Sequence, residues 1–161
     1  MKHRILFGSY PIPRFAGVPS HNFIVWVDPG GRPLYEINGG ASNPDGTFNY
    51  FSIFGRLTAV ETDYARRNLA YCPEFHIRPT SRTVLLLEAP HREIAARWAR
   101  GMRTVNRIAA SGLRYSFLTQ NSNSVASAVA RGMDLVVPRS SLGPLRAPGG
   151  RRRLALEPMV A

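Results

Sequence analysis

Residues 21–38 constrain the fold more than any other stretch of this chain. His21-Asn22-Phe23-Ile24-Val25-Trp26-Val27 is a run of β-branched and aromatic residues, Asp28-Pro29-Gly30-Gly31-Arg32-Pro33 is turn chemistry, and Leu34-Tyr35-Glu36-Ile37-Asn38 is a second extended run. Two strands joined by such a turn form an antiparallel hairpin, and its register decides which side chains share a face. With Val27 opposite Leu34, Phe23 faces Asn38 and His21 faces Gly40. His21, Phe23, Glu36 and Asn38 then project from one side of the sheet, with diagonal neighbours in side-chain reach. A slip of one residue would remove Asn38 from that set.

The rest of the chain supplies strands and helices in groups rather than in strict alternation. Segments 3–8, 83–88 and 114–118 read as strands, the first ended by Gly8 and Pro11. Thr58 with Glu61 three positions later has the form of a capping box and predicts a helix over 58–70. Pro90 suits a helix's first turn, and Ile94, Trp98, Met102, Val105 and Ala109 recur at helical spacing until Gly112. The Trp98/Met102 stripe reads as ordinary helix core, and Gly39-Gly40 as turn glycines. A second, small-residue helix is expected over 123–133. The fold class is therefore α+β, an antiparallel sheet packed against helices, as one domain over 1–137. From Pro138 to Ala161 the Pro/Gly/Arg content predicts a loosely ordered basic tail.

Composition narrows the function. The chain has 161 residues, enough to bury a core without metal or disulfide staples, and is 44% hydrophobic and 19% charged. Its one cysteine, Cys72, excludes an internal disulfide and a multi-cysteine zinc site. No EF-hand, zinc or Walker spacing occurs, so no metal or cofactor is expected. No apolar run reaches the ~20 residues of a membrane span, and no signal-peptide core is visible. A cytoplasmic protein is the default expectation, although export without a recognisable signal would fit the same sequence. The net charge of +11 invites a nucleic-acid partner, but apart from Arg66-Arg67 and Arg151-Arg152-Arg153 the basic residues are scattered.

Two places can carry chemistry. Asn121-Ser122 opens the second helix, where unpaired backbone N–H groups and the positive helix end favour an oxyanion. A serine needs a base, and His21 is the candidate, with Asn38 placed to hold its imidazole in one tautomer and Glu36 further off. Ser122 or Ser124 equally suits a plain N-cap role, and Ser127 lies a turn inside the helix. Cys72, with His76 four residues on, is a second candidate nucleophile; a lone cysteine among apolar neighbours is also a common core residue. His91 is expected to face solvent, and His3 lies near a terminus.

A strand opening with His21, a second strand carrying the polar Asn38, and a late Asn121-Ser122 at a helix start resemble the circularly permuted papain-like enzymes, the NlpC-type hydrolases and the lecithin retinol acyltransferase group. The resemblance implies a permuted papain-like fold, with His21 as base, Asn38 as orienter and Ser122 in the nucleophile position. Members of that group use cysteine there, so this chain is either a serine variant or a scaffold that keeps only a binding cleft. The implied activity is a hydrolase or acyltransferase acting on an amide or ester of a peptide, cell-wall or lipid-type substrate. A non-catalytic binding module on the same fold and a basic nucleic-acid-binding protein are the alternatives.

Overall fold

The computed structural model describes residues 1–12, 20–49, 52–66, 76–137, 149–151 and 153–156. Six strands, β1 (Lys2–Pro11), β2 (Ser20–Val27), β3 (Pro33–Ser42), β4 (Phe48–Asn49), β5 (Arg56–Asp63) and β6 (Arg82–Pro90), precede two helices, α1 (His91–Ala110) and α2 (Ser122–Gly132). All strand pairings are antiparallel, in the order β4-β3-β2-β1-β6, with β5 on the other edge of β3. The α+β antiparallel class read from the sequence is therefore the class observed.

The hairpin pairs as its alternation dictates in the middle and departs at the tip. Phe23 faces Asn38 and Val25 faces Glu36, but an irregularity between Trp26 and Val27 sets Val27 opposite Pro33 rather than Leu34. Every residue of β2 is buried, so the strand has no solvent face. On one side Ile24, Trp26 and Ile37 join Ile94, Trp98, Val125 and Val129 of the helices in the main core. On the other, Phe23, Val25 and Val27 pack with Tyr10, Leu6 and Ile77 in a second, smaller core. We call these the helix face and the far face.

Gly39 fixes which face receives α2. A Cβ there would lie 2.4 Å from Val125 Cβ, so only glycine lets the helix approach this closely. Helices α1 and α2 meet by the same device, Gly101 against Met133 and Gly132 against Thr104.

Three expectations need correction. Residues 58–63 belong to strand β5, not to a helix: Thr58, Val60 and Thr62 are β-branched, and they pair with β3 from Gly40 to Tyr35, so tertiary pairing overrides the short capping signal; residues 67–70 of the expected helix lie outside the described residues. Residues 114–118 form only isolated bridges, Arg56 to Arg114 and Ser116 to Gln120, around a turn. The tail is not wholly loose. Leu154 and Leu156 pack against the main core, and Arg107 Nη2 donates to the Leu156 carbonyl at 3.2 Å.

Candidate functional site

Alternation along β2 and β3 brings His21 and Asn38 to the far face, where they bond. His21 Nε2 lies 2.7 Å from Asn38 Oδ1, and Asn38 Nδ2 donates to Glu36 Oε1 at 2.7 Å. Because the amide oxygen can only accept, His21 Nε2 carries the proton and Nδ1 is left with the lone pair. Glu36 is 0% exposed and is the hub of the group. Its Oε2 accepts from Tyr64 OH at 2.6 Å and from the Ile77 backbone N–H at 2.9 Å, and its Oε1 lies 3.2 Å from His76 Nδ1. Glu36 thus anchors Asn38 directly rather than standing further off, and it ties Tyr64, His76 and Ile77 to the sheet.

The imidazole is neutral at ordinary pH. His21 is only 4% exposed, and burial pushes it down to about 4, against smaller upward effects from the Asn38 hydrogen bond and the Glu36 charge. Tyr10 and Phe23 stack around it at ring separations of 5.4 and 6.2 Å.

Ser122 lies elsewhere. Asn121 is the N-cap of α2, its Oδ1 accepting from the Asn123 and Ser124 N–H groups, while Ser124 Oγ accepts from the Asn121 N–H. Ser124 therefore completes a reciprocal capping box, and Ser127 is buried within the helix. Ser122 is the first helical residue, 5% exposed, three residues before Val125. Val125 packs on Gly39, whose neighbour Asn38 points the opposite way with His21. The structure unites His21 with Asn38 on the far face, while α2, whose first residue is Ser122, packs on the helix face. Cys72 lies outside the described residues.

A second site was not anticipated. At the turn end of the sheet, on the helix face, Trp26, Tyr35, Glu61 and Asp63 from three strands and His91 and Trp98 from α1 line an open cleft of about 710 Å³, a volume within the usual range for small-ligand sites. Trp98 is more than helix core, since its ring forms part of this wall. The signal was present in the hairpin: Trp26 and Tyr35 are paired residues and so share a face.

Fold and site together define an antiparallel α+β domain with a buried imidazole–amide–carboxylate relay on one face and an open aromatic cleft on the other. No family model, no curated protein and no solved structure matches the chain. No described helix is long and apolar enough to cross a membrane, and no cluster of three or more metal-ligating side chains occurs among the described residues.

Proposed function

We propose that this chain is a non-catalytic ligand-binding domain on a permuted papain-like scaffold, with the aromatic cleft as its recognition site. One observation carries the reading: His21 is held on the far face in a hydrogen bond to Asn38, whereas α2, which Ser122 opens, packs on the helix face through Val125 against Gly39. The order of elements, a histidine-led hairpin first and an asparagine-capped helix late, supports the scaffold. The burial of His21 and Ser122 supports a structural role for both, whereas the cleft opens to solvent. On this reading the His21–Asn38–Glu36 relay keeps the far-face core in register, because Asn38 is held at both ends of its amide and Glu36 at both carboxylate oxygens.

Covalent labelling tests it. Parent, Ser122→Ala, Ser124→Ala, Cys72→Ala and His21→Ala proteins, each checked for folding, are exposed to a serine-directed fluorophosphonate. The binding-domain reading expects no labelling that depends on both Ser122 and His21. Labelling lost in Ser122→Ala and His21→Ala alone would overturn it and restore the hydrolase or acyltransferase reading.

A further inference from the structure

The cleft's chemistry is that of a cation site. Trp26, Tyr35 and Trp98 form a triangle of rings with centroid separations of 5.3 Å (Trp26–Tyr35), 5.8 Å (Trp26–Trp98) and 6.3 Å (Tyr35–Trp98), tilted by 42–55°. The rings pack on one another and together form one wall of the cleft; aromatic rings carry negative potential on their faces, and such a wall attracts an organic cation that has shed part of its water. Two indole N–H groups are already engaged. Trp26 Nε1 donates to His3 Nδ1 at 3.1 Å, and Trp98 Nε1 donates to Glu61 Oε1 at 2.5 Å. The rings are thereby fixed in place, and their polar edges are turned away from any further ligand.

The charges around the cleft point the same way. Arg32 pairs with Asp28 at 3.3 Å, and Asp63 pairs with Arg66 at 3.3 Å. Glu61 is different: it is half-buried, and among the described residues no basic side chain forms an ion pair with it. Its one hydrogen bond is to an indole, which is neutral. In a chain of net charge +11 an acid left without a cationic partner beside three aromatic rings is poorly placed for stability and well placed for a positively charged ligand. The two histidines at the cleft do not supply that partner: His3 accepts the Trp26 hydrogen bond at Nδ1, and His91 rests its ring 5.3 Å from Trp26. An anion would meet Glu61 and the ring faces with like sign. A metal ion would find too few ligands.

We infer that the cleft between the hairpin tip and α1 binds an alkylated ammonium, with Glu61 as its counter-charge and Trp26, Tyr35 and Trp98 as its aromatic wall. This rests on the binding-domain reading and names its ligand class.

The chain contains two tryptophans, and both line the cleft, so intrinsic fluorescence reports on this site directly. Choline chloride is the probe, titrated against matched sodium chloride. Its neutral isostere 3,3-dimethylbutan-1-ol has the same shape without the charge. The expected result is a saturable fluorescence change with choline, none with the isostere, and affinity at least about tenfold weaker in Glu61→Gln. Glutamine still accepts the Trp98 hydrogen bond, so an unchanged melting temperature shows that the variant is folded. No saturation with choline, equal binding of the isostere, or an unaltered Glu61→Gln curve each overturns the inference. Equal binding of the isostere would do so while the binding-domain reading stands, whereas that reading itself fails by fluorophosphonate labelling dependent on Ser122 and His21.

Discussion

Replacing Glu36 by leucine removes the acceptor on which the far face converges. Three donors, Asn38 Nδ2, Tyr64 OH and the Ile77 N–H, lose the acceptor they share, a carboxylate that is itself 0% exposed, and His76 Nδ1 loses its contact. A buried donor without an acceptor costs about 1–3 kcal/mol, so three cost about 6 kcal/mol at the middle of that range. Burying leucine where a carboxylate had been offsets about 2 kcal/mol. The net loss expected is about 4 kcal/mol, a large share of a typical total stability of about 5–15 kcal/mol. For a chain of this length it corresponds to a fall in melting temperature of about 8–16 °C. Far-ultraviolet circular dichroism at pH 7.5, where His21 is neutral, measures it. Tyr64→Phe removes a single donor from the same hub and should cost about 1 kcal/mol, giving an internal scale. A Glu36→Leu protein that melts within about 3 °C of the parent would refute the reasoning, because the hub would then not be what holds residues 64 and 76–77 to the sheet.

Three further outcomes follow from the same coordinates. His21 has a folded value of about 4 against 6.5 in the unfolded chain; the unfolded state therefore takes up a proton first as pH falls. Its contribution, about 3 kcal/mol, is fully present above pH 6.5 and lost between there and about 4. Urea midpoints at pH 7.5 and 4.5 should fall more steeply in the parent than in His21→Gln, and equal slopes would contradict this. Truncation after Val137 removes Leu154 and Leu156 from the core and the Arg107 bond, and should cost about 2–3 kcal/mol in a melting experiment; an unchanged melting temperature would restore the loose-tail expectation. Asn22 is wholly buried on the helix face, and neither polar atom of its side chain has a hydrogen-bond partner among the described residues. Asn22→Val should accordingly raise stability by about 1–2 kcal/mol, and a lower melting temperature would count against it.

What the sequence disclosed was governed by local physics. Period-two alternation and turn chemistry gave the hairpin, the Phe23–Asn38 register and the shared face of His21, Glu36 and Asn38, and helical spacing gave α1. The failures came where distant partners decide. β5 is a strand because β3 offers it a paired edge; Thr58, Val60 and Thr62 favour it, but the Thr58–Glu61 capping pattern reads equally as a helix start. His76 meets Glu36 across forty positions, beyond any spacing rule. The face taken by α2 was hidden for a subtler reason. With β2 apolar on both sides, neither side advertises itself as the helix seat, and the residue that decides, Gly39, reads as turn punctuation until Val125 is seen above it.

The double burial of β2 also bears on how the chain is made. Synthesis proceeds from the N-terminus, so residues 20–42 leave the ribosome before either of their covers exists. The segment that closes the far face begins to arrive with Ile77, but α2, which closes the helix face, starts at Ser122, 80 residues after Ser42. At about 5–20 residues per second that interval lasts about 4–16 s. For most of it the hairpin presents Ile24 and Ile37 without α2, while Trp26 gains its cover from Trp98 when α1 emerges. A chain built on this plan has its most aggregation-prone strand pair ready early and sheltered late, so its yield in cells should depend on whatever holds nascent chains apart during those seconds.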